Sequence, residues 1–255
     1  MKTEQMNKLI KDRLEVEMAA NPNPIISRGF VTCNNDIVEN SAPCLLSGIN
    51  PSFLKGDEPK TFSYIFSLAI EDENNKGNTY FGKKRKHYCT IYKEMAYLDL
   101  FPIRESRQSV FEKALPVELK KDLLEITQTA IEDMKPRLII HANRASLYYW
   151  GLAPQTPWMG YSFELVEPDK YKNFPKSIMT EERLRLFPLY KITGFSDHKE
   201  RINQVKYPQG TKSSLEGSFF MEYVMEYRKK EDRAMMYTSS EWAEIWKWVK
   251  ENSIK

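Results

Sequence analysis

The stretch CLLSGINPSFL, residues 44–54, decides how this chain is read. Cys44, Leu45 and Leu46 make an apolar run of the length of a buried strand, and Ser47-Gly48 ends it. Asn50-Pro51-Ser52 then predicts a corner, because proline fixes φ and the residue before it avoids the helical region. Polar side chains are thereby set at the end of a buried element. In a sheet of parallel strands covered by helices, that edge is where ligands bind.

Before this corner, Met6, Leu9, Ile10, Leu14 and Met18 predict an amphipathic helix over residues 2–19, ended by NPNP. After it, TFSYIFSLAIE predicts a helix capped by Thr61, and residues 72–86 read as a polar loop. CTIYKEMAYLDLFPIRES reads as a short helix feeding a strand that ends at residues 99–101. The clearest helix is LPVELKKDLLEITQTAIEDMK. Pro116 suits its start, and Leu119, Leu123, Leu124, Ile126, Thr127, Ala130, Ile131 and Met134 share a face. Lys135-Pro136 hands over to the strand RLIIHAN. The Pro- and aromatic-rich residues 153–177 read as an irregular excursion or a short hairpin, and RLFPLYKITGFSDHKERINQ as a strand and loop. EGSFFMEYVMEYRKK reads as helical. SSEWAEIWKWVKENS reads as a last helix capped by Ser239 or Ser240, with Trp242, Ile245, Trp246 and Val249 on one face. This order predicts a three-layer α/β sandwich with a mostly parallel central sheet, as a single domain over residues 1–255. Ser47, Asp99, His141 and Ile192 are expected near the ends of neighbouring strands.

Composition narrows the function classes. The chain has 255 residues, 41% hydrophobic and 29% charged, which excludes a disordered chain. Apolar runs such as Leu138-Ile139-Ile140 fall far short of the roughly 20 residues that cross a bilayer. No signal-peptide core is visible near Met1. Cys33, Cys44 and Cys89 are odd in number and lack CxxC spacing, so free thiols in a reducing cytoplasm are expected, and no iron–sulfur cluster. His87, His141 and His198 are scattered, which argues against zinc; no metal or cofactor is expected. A net charge of +3 does not announce nucleic acid, but Lys83, Lys84, Arg85 and Lys86 cluster.

Four predicted strand ends carry polar groups that would meet at one sheet edge: Asn50 with Ser52, Asp99, Asn143 with Arg144, and Ser196-Asp197-His198. In this setting LLSGINPS resembles the first motif of the uracil-DNA glycosylase superfamily, in the style of its mismatch-specific and single-strand-selective branches. FSYIFSL resembles the aromatic segment that stacks on the flipped base, and IYKEMAYLDLFPIR the segment ending in an amide that reads the base. LIIHANRAS resembles the strand and helix start that follow, and YKITGFSDHKE falls where the His-Pro-Ser or Asn-Pro-Ser loop belongs. The resemblance covers residues 44–204, and its first motif is the most specific.

It implies a uracil-DNA glycosylase-like fold with extra helices at both ends, and an N-glycosidase acting on a base in DNA. Asn50 would position the attacking water, with Gly48, Pro51 and Ser52 shaping its loop. Phe66, or Phe62, would stack on the base. Asp99 stands where relatives present an Asn amide; a carboxylate donates only when protonated, which favours a base with amino groups. Asn143 and Arg144 would hold a phosphate at a helix start. His198, with Ser196, would stabilise the leaving base, although ungapped alignment sets Gly194 there and the proline is missing. Each residue has a plainer reading. Asn50 serves a turn, Phe66 and His141 a core, Asp99 and Asn143 caps, Asp197 a helix start, and residues 83–86 a solvated face. Two other function classes stay open: a catalytically degenerate nucleic-acid-binding protein of the same fold, and a small-molecule nucleoside hydrolase.

Overall fold

The run Cys44-Leu45-Leu46 becomes the middle of a sheet because every one of its side chains is buried. In the computed structural model, residues 1–34, 43–72, 80–152, 158–197, 201–224 and 230–253 are described. Strand β2 (Cys44–Ser47) lies parallel to both β4 (Met95–Tyr97) and β5 (Leu138–His141). Beyond β5 come β8 (Phe219–Glu222), β7 (Leu189–Phe195) and β6 (Tyr161–Leu165), giving the order β4-β2-β5-β8-β7-β6. β8 is parallel to β5, whereas β7 and β6 are antiparallel to their neighbours. A separate parallel pair joins β1 (Val31–Asn34) to β3 (Phe62–Ile65).

Helices cover both faces, and the period-2 alternation of the strands assigns the covers. Leu45, Ala96, Ile139 and Phe220 share one core with α1 (Thr3–Ala20), α4 (Gln108–Ala114), α5 (Val117–Met134) and α6 (Leu147–Trp150). Leu46, Met95, Ile140 and Met221 share the other with α2 (Phe66–Glu71), α3 (Tyr80–Tyr88) and α9 (Ser239–Asn252). The chain leaves β2 to form β4 on one side, then returns past β2 to form β5 on the other. Crossovers of one hand taken in opposite directions put their helices on opposite faces, as found here. The reversal makes the C-terminal ends of β2 and β5 a topological switch point, where a crevice opens in such sheets. No described helix is long and apolar enough to cross a membrane.

Several expectations need correction. The sheet is mostly parallel, with Ser47, Asp99 and His141 at or just past adjacent parallel strand ends, but β7, which holds Ile192, runs the other way. Residues 216–230, expected as a helix, contain β8. A short fully buried strand shows no polar alternation, so periodicity cannot separate it from a buried helix. Residues 62–65 are strand rather than helix, β1 was not anticipated, and α3 occupies the end of the expected loop. Thr61 caps no helix; its hydroxyl accepts from Phe30 N–H. Leu9, placed on the apolar face of α1, is 40% exposed. Thr238, not Ser239 or Ser240, caps α9, in a reciprocal capping box with Glu241.

Candidate active site at the sheet's C-terminal edge

Gly48 is the residue after β2, and its place beside β4 explains why only glycine fits. A Cβ there would lie 2.3 Å from Asp99 Oδ1 and 3.4 Å from the Tyr97 hydroxyl. Asp99 therefore sits against the β2 backbone, two residues past β4, with its carboxyl accepting from Gly48 N–H. Tyr97 Oη donates to Asp99 Oδ1 at 2.8 Å. Burial pushes the Asp99 carboxyl up; the bonds from Tyr97 and Gly48 pull it back only in part, to about 7. A carboxyl half-protonated near neutrality, in a cleft at a sheet's ligand edge, is the strongest single feature of the molecule.

Gly48→Ala is expected to cost about 1–3 kcal/mol of stability by overpacking against Asp99. In an Asp99→Ala background the cost should largely vanish, because the clashing oxygen is gone. Urea melts of the four proteins check this, and equal costs in both backgrounds would refute the contact.

The cleft at Asp99 is lined by Tyr97, Tyr64, Cys33 and Thr127, and by Met6 and Ile10 of α1. α1 thus belongs to the cleft, although the resemblance leaves it outside as an added helix. The free interior is about 10 Å³, room for about one water and not for a base ring as the side chains stand. Burial pushes the Cys33 thiol far above its ordinary value, and the Asp99 charge adds to this, so it is not a thiolate nucleophile.

Asn50 is a tie before anything else. Its Nδ2 donates to Glu105 O at 2.6 Å and to Ile103 O and Pro51 O at 3.1 Å each. The corner is pinned again by Glu105 N–H donating to Pro51 O. Asn50 Oδ1 takes no hydrogen bond from the described residues, so the acceptor end of the amide remains for a water. Ser52 is exposed.

Phe66 is not a stacking surface. It is 1% exposed, stacked on Tyr97 at 5.8 Å with an 18° interplanar angle, and edge-on to Phe81. It supports the ring that donates to Asp99. The open ring on β3 is Phe62, 38% exposed.

At the end of β5, Asn143 caps a short 3-10 turn: its Oδ1 accepts from Ser146 N–H at 3.1 Å and its Nδ2 donates to Gln108 at 3.4 Å. No long helix begins there, since α6 is a single turn, so the expected phosphate-binding helix start is absent. Arg144 is largely exposed, its Nε 3.4 Å from Glu222 Oε1. Glu222, a buried carboxylate at the end of β8, joins this edge unanticipated because its segment reads as helix. His141 is a core histidine. Burial pulls its imidazole down to about 3, Nδ1 accepts from Trp150 Nε1 at 3.3 Å, and Nε2 faces the Ser146 hydroxyl at 2.8 Å.

Ser196 is not at this edge. β7 is antiparallel to β8, so its C-terminal end points to the opposite rim, where Ser196 N–H donates to Gly160 O. The reason is topological: the fourth parallel strand is β8, not β7. His198 lies outside the described residues. Of the basic run, Lys86 is exposed and the Lys83 side chain lies outside the described residues. Lys84 is fully buried in α3, and Arg85 donates to Glu71 O at 3.3 Å. Among the described residues, no cluster of His, Cys, Asp or Glu is placed to hold a metal ion.

No family model, curated protein or solved structure matches the chain.

Proposed function

We propose that the chain is an N-glycosidase of the uracil-DNA glycosylase type, hydrolysing the bond between a flipped-out DNA base and its sugar. The observation that carries this is Asp99, a buried carboxyl titrating near neutrality at the edge of β2 and β4. A protonated carboxyl presents one donor and one acceptor, the pair an Asn amide presents. Asp99 in its neutral form can therefore read the amide or amidine edge of a base, and the objection that a carboxylate cannot donate falls away below about pH 7. The same proton can pass to the departing base, which takes the electron pair of the breaking C1′–N bond. Asn50 Oδ1 holds the water whose oxygen bonds to C1′ and whose proton is lost to solvent, while Asn50 Nδ2 keeps the corner fixed on residues 103 and 105. A cleft of about 10 Å³ admits a base only if lining side chains move.

Specific placements favour a second reading, a binding protein of the same fold without catalysis. The loop holding Ser196 is turned away from the edge, and no imidazole among the described residues faces Asp99. A panel of oligonucleotides, each with one altered base, separates the two. Release of a base supports the glycosidase; binding with no release from any of them supports the second reading.

A further inference from the structure

The loop that follows Asn50 carries rings and cations in alternation. The Phe53 ring lies between the guanidinium groups of Arg28 and Arg104, each 4.8 Å from its centroid. Arg104 also lies 5.5 Å from the Phe62 ring, and Lys60 Nζ lies 5.8 Å from that ring. The row thus runs from Arg28 through Phe53, Arg104 and Phe62 to Lys60.

Folding accounts for part of this row. Arg28 pairs with Glu105 at 2.5 Å, and Arg104 pairs with Asp57 and donates to Glu58 O, both at 3.0 Å. Burial raises the Glu105 carboxyl, but bonds from Arg107 N–H and Arg28 outweigh that and hold it below its ordinary value. Other groups of the row are left open by these ties. Arg104 is 7% exposed, yet its Nε has no hydrogen-bond partner. Phe62 keeps an open face, and Lys60 is exposed. Around the loop, Arg28, Lys55, Lys60, Arg104 and Arg107 outnumber Asp57, Glu58 and Glu105.

We propose that this row binds single-stranded nucleic acid, with an unpaired base on Phe62 and a phosphate at Lys60, the exposed cation of the row. Every base offers a π-face to an aromatic ring, and the cations track the backbone between rings. A duplex hides those faces inside its stack. β3 links the row to the cleft: Phe62 and Tyr64 lie two residues apart on one face of it, and Tyr64 lines the cleft. The choice of partner rests on the nucleobase reading of that cleft.

Fluorescence anisotropy with a short labelled oligothymidylate, the matching oligouridylate and a duplex tests the row on the full chain. Single strands should bind more tightly than the duplex. Phe62→Ala should weaken single-strand binding about tenfold or more. Lys60→Gln should reduce the slope of log affinity against log salt by about 0.7. Both side chains are exposed, and melting curves confirm that the variants fold. A preference for either strand supports the row and identifies its sugar. No strand binding at low salt, equal binding of the duplex, or affinities that neither variant changes would overturn it. Base release is scored separately. A protein that binds strands and releases no base keeps the row and loses the glycosidase. One that releases base without strand binding loses the row alone.

Discussion

Asp99→Asn is expected to stabilise the protein above neutral pH while leaving it unchanged in acid. In the folded chain burial holds the Asp99 proton to about pH 7, whereas an unfolded Asp releases it near 3.8. Between those values the folded state binds more protons, so the carboxyl's contribution to stability is complete below 3.8 and is lost as pH rises through about 7. An amide has nothing to ionise. The variant should therefore draw ahead of the parent across that window, by up to about 4 kcal/mol above it. Urea melts across the window check this. Parallel stability curves for the two proteins would mean that Asp99 is not the buried acid described here. A group that lowers stability at neutral pH and occupies a ligand edge suggests a function that keeps it there.

Asn50→Ala should act on two measurements at once. Removing Nδ2 leaves the carbonyls of Ile103 and Glu105 without that donor, a loss of about 1–3 kcal/mol. If Oδ1 also holds the attacking water, base release per folded molecule should fall roughly 10²–10³-fold, the usual size of a lost transition-state contact. Assays well below the variant's melting temperature keep the two effects apart. Unchanged release with a lowered melting temperature would reduce Asn50 to its structural tie.

The legible parts of this chain were those whose local pattern is strong. β2 falls on Cys44–Ser47 because a three-residue apolar run meets Ser-Gly and an Asn-Pro corner, and α5 and α9 show helical periodicity along a full face. Asp99 and Asn50 could be picked out as strand-end polar groups; Asp99 lines the cleft, whereas Asn50 is tied to residues 103 and 105 and is not among the cleft's lining residues. The failures share one cause, since pairing partners are set by contacts distant in sequence. Nothing local tells β7 that it will lie antiparallel to a strand formed later, and that single fact removes Ser196 from the site. Likewise the choice between Phe62 and Phe66 depends on where β3 ends, and Lys84 is buried within a helix read as a loop. Glu222 was hidden by an apolar run with no period, and the part α1 plays in the cleft by its distance along the chain from Asp99.

The central claim is that Asp99, in its protonated form, reads and protonates a base. The measurement that tests it most directly is the pH profile of base release by the parent and by Asp99→Asn, on an oligonucleotide the parent accepts. Parent activity should fall as pH rises through about 7. Asp99→Asn, which keeps a donor and an acceptor but has no proton to give, should still bind the same oligonucleotide, release base more slowly in acid than the parent, and show no fall through about pH 7. A parent profile flat through this range, or a fall that persists unchanged in Asp99→Asn, would contradict the account.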